Sequence, residues 1–118
     1  MKRVFANSKL LGQGTLLMSL FLMSLGVSAG EVTAKIKYIQ VNVIAGTKDI
    51  VVVKFESEPI NRPPCATDDR MIVKLDTEAG RAVLSMALAA KAADRAIYMR
   101  GTGDCTNALE NIAYLRFI

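Results

Sequence analysis

The chain has 118 residues, with 15 basic against 11 acidic, no His and two Cys. That length allows one domain. The absence of His excludes His-based triads, His general bases and His metal ligands, and a net charge of +4 without a clustered basic face makes no nucleic-acid footprint.

The first 29 residues read as a cleavable signal peptide, and residues 30–118 as one domain. Lys2, Arg3 and Lys9 give a positive start, Leu16–Leu25 an apolar middle, and Val27-Ser28-Ala29 a small-residue exit that leaves Gly30 as the first mature residue. This is the secretory pattern. A membrane anchor would need about 20 apolar residues, a length reached here only by including Gly12, Gln13, Gly14 and Thr15. The leader carries three basic residues and no acidic one, so the mature chain has 12 against 11, a net charge of +1. The expected destination is the periplasm or the medium, with no membrane contact after cleavage.

Residues 35–44 read as a first strand whose alternation slips by one residue. Ile36 and Tyr38 share one parity; Ile39, Val41 and Val43 share the other. Such a slip needs a bulge or a bend, which a small closed barrel uses. Ala45–Asp49 is a turn around Gly46. Residues 50–56 form the second strand of a hairpin, with Val51, Val53 and Phe55 toward the core and Lys54 and Glu56 toward solvent. The segment Glu58–Cys65 holds three Pro and reads as an extended loop, which Asp68-Asp69-Arg70 continues. Residues 71–75 are the third strand.

A helix follows, capped by Asp76 or Thr77, with Glu78 at the positive end of its dipole. Gly80, Val83, Leu84, Ala87, Leu88 and Lys91 have the spacing of one face. Seven alanines from Ala79 to Ala93 favour the helix. Residues 95–100 are the fourth strand, Gly101-Thr102-Gly103-Asp104-Cys105 a Gly-rich turn, and residues 109–118 the fifth strand.

Cys65 and Cys105 allow one intramolecular disulfide; free thiols or an intermolecular link are the alternatives. An exported chain reaches a compartment where disulfides persist. Closing a loop of about 40 residues would stabilise by roughly 4 kcal/mol.

The order β–β–β–α–β–β, with a bent first strand, predicts a mainly β fold. It suits a five-stranded Greek-key barrel of the oligonucleotide/oligosaccharide-binding (OB) type, with its helix between strands three and four. An α+β sandwich is the rival.

Cys65–Arg100 resembles the corresponding part of the subtilase cytotoxin B subunit and related pertussis-like toxin B subunits. The likeness lies in a Cys after the second strand, the helix opening Thr77-Glu78-Ala79-Gly80-Arg81-Ala82-Val83-Leu84, a fourth strand and a closing Cys. Asn61-Arg62-Pro63-Pro64-Cys65-Ala66 and Gly101–Cys105 also resemble a group of small exported proteins of this plan. The resemblance implies an OB barrel, ring pentamers and binding of cell-surface glycans. The chain departs from the toxin subunits in being shorter, in lacking Trp and in holding only two Cys, and no sugar-contacting residue carries over.

Neither the motifs nor the composition points to an enzyme. Asp68, Asp69 and Asp104 would suit Ca²⁺ only if they converged. Their spacing matches no EF-hand, and the expectation is a polar loop with no metal and no cofactor. Gly101-Thr102-Gly103 lacks the Lys and helix of a phosphate loop. Tyr38, Tyr98 and Tyr114 lie on three strands and offer a stacking surface, the plainer reading being a core rim. Arg62, Arg70 and Arg100 flank the cysteines and suit an acidic group. The candidate ligand residues are Arg62, Asp68, Asp69, Arg70 and Tyr98. The expected function is a non-enzymatic exported binding module for a glycan or a protein, with a homo-oligomer as its candidate assembly; the alternatives are a monomeric periplasmic structural or stress protein, or an enzyme inhibitor acting through Glu58–Cys65.

Overall fold

The computed structural model describes residues 28–43 and 49–118. The expected signal peptide, up to residue 27, and most of the expected turn around Gly46 lie outside the described residues. Six strands and one helix follow in order: β1 (Glu31–Ala34), β2 (Ile36–Asn42), β3 (Ile50–Phe55), β4 (Met71–Lys74), α1 (Glu78–Ala92), β5 (Ile97–Thr106) and β6 (Leu109–Phe117). They form one sheet in the order β1-β5-β6-β4-β3-β2, antiparallel except for the parallel β4–β6 pair.

β1 and β2 sit at opposite ends of that order, yet only Lys35 separates them in the chain. The chain therefore turns from one sheet edge to the other within one residue, and the sheet curls into a half-barrel. The sequence led us to expect five strands; the described residues form six. The extra strand is β1, which pairs with β5 from Glu31↔Arg100 to Ala34↔Ile97, a partner too distant in sequence for local pattern to reveal. The parity slip is physical. Pairing of β2 with β3 runs Ile36↔Phe55 and then Tyr38↔Lys54, leaving Lys37 as the extra residue of a bulge. Beyond the bulge the strand leaves the core, so Val41 and Val43 are exposed rather than buried as the alternation suggested.

The core fills the concave side. Val51, Val53, Phe55, Met71, Ile97 and Met99 are almost fully buried there. The other side of β3 is not solvent-facing: Ile50, Val52, Ile72 and Leu109 make a second small cluster.

Thr77 caps α1, its Oγ1 accepting from the Gly80 N–H at 2.9 Å. The buried helix positions are Gly80, Ala87 and Ala90, with Val83, Leu84 and Met86 packed partly against the core. Leu88 and Lys91 face out, unlike the expected face. The small residues set that rotation, because the helix start approaches β4 so closely that a Cβ on Gly80 would overlap the Lys74 carbonyl.

Gly101–Cys105 is not a turn. It is the irregular second half of β5, with register shifts against β6. The reversal is made instead by Asn107 and Ala108, at φ 51° and 68°. Two central residues with positive φ define the tight hairpin turn that matches strand twist. Cys65 and Cys105 are joined in a disulfide, which ties the β3–β4 loop to the end of β5.

Candidate functional site

The loop between β3 and β4 folds over the β2–β3 hairpin and against the Asn107–Ala108 turn. It leaves an open concavity of about 600 Å³ lined by Tyr38, Lys54, Glu58, Arg62, Thr67, Asp68, Asp69, Arg70 and Ala108. Three elements shape it. The bulge at Lys37 places Tyr38 opposite Lys54. The Pro-rich loop supplies Glu58 and Arg62, and the disulfide fixes its far end. The Asp68 N–H donates to the Ala108 carbonyl at 3.2 Å, joining floor and hairpin.

Its charges are matched in place. Arg70 Nε donates to Asp68 Oδ1 at 2.9 Å and Nη2 to Oδ2 at 2.6 Å. This two-pronged pairing suits the planar guanidinium. The Arg70 backbone N–H adds a bond to Oδ1 at 2.9 Å. The Arg70 side chain, aided by that backbone bond, holds the Asp68 carboxyl down at about 2 from 3.8. Arg70 in turn is raised, first by the Asp68 carboxylate and then by the Tyr38 hydroxyl. Lys54 Nζ pairs with Asp69 Oδ2. Lys54, expected toward solvent, is thus half-buried in the site. Glu58 and Arg62 add one charge of each sign.

Four of the five expected ligand residues, Arg62, Asp68, Asp69 and Arg70, come together here. Tyr98 does not. It lines a separate concavity of about 280 Å³ with Glu31, Val32, Thr33, Ser57, Glu58 and Ile60. Its hydroxyl donates to Glu31 Oε2 at 2.8 Å, and Arg100 Nη1 donates to the same oxygen at 3.2 Å. Arg100 pulls the Tyr98 hydroxyl pKa down, but Glu31, burial and Tyr114 outweigh it, so the net shift is upward. The rings of Tyr98 and Tyr114 lie 6.0 Å apart, and the Arg116 guanidinium covers the Tyr98 ring at 4.6 Å. The tyrosines therefore form no common platform: Tyr38 lines one concavity, and Tyr98 and Tyr114 pair elsewhere. Arg100 is engaged with Glu31 and lines neither concavity with Arg62 and Arg70.

No family model, no curated protein and no solved structure matches the chain.

No group of three or more His, Cys, Asp or Glu side chains suited to a metal ion occurs among the described residues. Asp68 and Asp69 each face a cation. No helix among the described residues is long and apolar enough to cross a membrane.

Of the remaining lining residues, the sequence offered Tyr38 only as part of a stacking surface and Glu58 only as the start of the Pro-rich loop, and it gave no sign of Lys54, Thr67 and Ala108. Sequence reading also missed Glu110, a buried carboxylate at 1% exposure. Glu110 accepts the Gly103 N–H at 2.9 Å and the Gly30 N–H at 3.0 Å. A Cβ on Gly30 or Gly101 would overlap its carboxyl group. The only sequence trace of this arrangement is glycine at three positions that one carboxylate approaches.

Proposed function

We propose that this chain is a non-enzymatic, exported binding module on an OB-like barrel, whose concavity around Tyr38 and Arg70 takes a neutral, polyhydroxylated ligand of the glycan class. One observation carries the reading. Both strong cations of the floor are neutralised by acids two or fifteen residues away, so the surface offers fixed donors and acceptors rather than net charge. Such a surface suits hydroxyl groups better than a phosphate or carboxylate, and Tyr38, 38% exposed, adds an apolar ring face of the kind that sugars pack on. The OB reading is supported by the parallel β4–β6 pair and by taking β1 and β2 as one strand bent at Lys35. Export is supported by the leader pattern and by a disulfide, which belongs to oxidising compartments.

The test is a glycan array followed by titration calorimetry on the exported protein. Binding of neutral glycans, lost in Tyr38→Ala, is expected. An array with no neutral binders overturns the ligand assignment. Light scattering tests the ring oligomer that the toxin-subunit resemblance implies; a monomer removes it.

A second reading, enzyme inhibition, is favoured by Ile60. It stands 60% exposed on the Pro-rich loop, whose backbone is braced by paired bonds to Glu31 at 2.9 and 3.0 Å. A braced loop with an exposed apolar tip fits a protease-type cleft. Copurification of a hydrolase, abolished by Ile60→Asp, would favour this reading over glycan binding.

A further inference from the structure

The Gly30 nitrogen lies 3.0 Å from Glu110 Oε1 and 3.0 Å from Oε2. A peptide N–H has one proton and one direction, so it aligns well with only one of two oxygens. An ammonium has three donors. Glu110 is almost wholly buried, and its hydrogen-bond partners, the Gly30 and Gly103 N–H groups, are neutral while Gly30 is inside a longer chain. A buried carboxylate without a countercharge is costly.

The residue is clamped from its other side as well. The Gly30 carbonyl accepts the Gly101 N–H at 2.8 Å, and a Cβ at position 30 would displace the Glu110 carboxylate. The same residue is the first after the small-residue exit Val27-Ser28-Ala29.

We propose that removal of the leader between Ala29 and Gly30 converts the Gly30 nitrogen into an α-ammonium that forms a buried ion pair with Glu110. Water adds to the Ala29 carbonyl carbon and the bond to the Gly30 nitrogen breaks. Ala29 leaves on the leader as a carboxylate, and the nitrogen takes up a proton to become the ammonium. The hydrolysis is that of the export signal peptidase. Processing thus supplies the countercharge that the folded domain lacks beforehand, and the unprocessed chain is the less stable form. The inference rests on the export reading and is independent of what the concavity binds.

The ion pair raises the α-amino pKa above its ordinary value of about 7.7–8.0. Its stabilisation is therefore complete below about pH 8 and disappears as the pH rises through the raised value. The other charged groups at this place are Arg62, whose stem lies against Gly30, and Glu31, which is engaged with Tyr98 and Arg100.

The experiment compares the exported protein with a chain that retains Ala29, each with and without Glu110→Gln. Mass spectrometry of the exported protein should show Gly30 first. Retaining Ala29 should lower the unfolding midpoint at pH 7 by about 5 °C or more. That gap should close toward pH 10, and should be absent in the Glu110→Gln background. A mature chain starting elsewhere, equal midpoints, or an undiminished gap with Glu110→Gln overturns the proposal. Should the Glu110→Gln chains fail to fold, NMR titration of the exported protein decides: a raised α-amino pKa is expected, and a value of about 7.7–8.0 overturns it.

Discussion

The Asp68 N–H reaches across to the Ala108 carbonyl, 3.2 Å away, and so fastens the floor of the concavity to the β5–β6 hairpin turn. The disulfide fastens the same loop three residues earlier, at Cys65. The candidate site is therefore held at two points of one hairpin, and whatever stiffens that hairpin stiffens the site.

Ala108 holds φ at 68°, where an L-residue with a Cβ is strained by about 1–2 kcal/mol. Glycine relieves the strain but adds freedom to the unfolded chain worth about 0.4–1 kcal/mol. The balance favours the native turn, so Ala108→Gly should stabilise the domain by about 0.5 kcal/mol and keep the carbonyl that Asp68 uses. Chemical denaturation measures this; a lower denaturation midpoint contradicts it.

Replacing both cysteines with Ser should cost about 2–4 kcal/mol, because the bond closes a 40-residue separation that includes the end of the loop, β4, all of α1 and most of β5. Around the bond itself the loop is exposed, at Pro64, Cys65 and Thr67, so the disulfide is the main tie at that point, between the Ile60–Glu31 and Asp68–Ala108 backbone bonds. Melting with and without reductant is the measurement, and unchanged midpoints would show that the bond adds no stability.

The local parts of this fold were legible. The β2–β3 hairpin, the Thr77 cap and the burial of Val51, Val53 and Phe55 follow from patterns a few residues long. Even the bulge at Lys37 left its mark as a parity slip. What sequence could not give is set by distant partners. Gly101-Thr102-Gly103 has turn composition, yet pairing with β6 and the Glu110 carboxylate between the glycines make it strand. The true turn, Asn107-Ala108, lacks the Gly that usually announces such a reversal. In the site, Asp68, Asp69 and Arg70 were legible because they are contiguous and charged. Tyr38 was legible only as a strand aromatic, because the bulge at Lys37 sets what it stands opposite; Lys54 was not, because its partner Asp69 comes from the loop fifteen residues on. Tyr98 was misplaced because β5 carries it to a different concavity.

Asp68 gives the site a pH dependence on the acid side. Its folded value is depressed to about 2 from 3.8, so the stabilisation is full above about pH 4 and lost as the pH falls toward 2. The whole shift would amount to about 2 kcal/mol. With 26% of the side chain exposed, solvent screening reduces this to about 1 kcal/mol. Asp68→Asn should therefore be less stable than the parent at pH 6 and nearly equal to it at about pH 2. Urea unfolding of both chains across that range checks it; a constant difference would show that the Arg70 pairing contributes nothing.

Gly80 sets two effects against each other. In an exposed helix interior, alanine in place of glycine stabilises by about 1 kcal/mol. Here the new Cβ would overlap the Lys74 carbonyl, a backbone atom at the end of β4 that cannot swing aside like a side chain. Moving α1 outward would uncover Ala87 and Ala90, which are fully buried against the sheet. Overpacking of this kind costs about 1–3 kcal/mol and sometimes more, and the backbone clash places it at the upper end. Gly80→Ala should thus be net destabilising by about 1–2 kcal/mol. The companion substitution Ala82→Gly, at an exposed position of the same helix, should cost about 1 kcal/mol through propensity alone. Thermal unfolding of the two variants separates packing from propensity: if Gly80→Ala raises the midpoint, the close approach of α1 to β4 is not what holds glycine at that position.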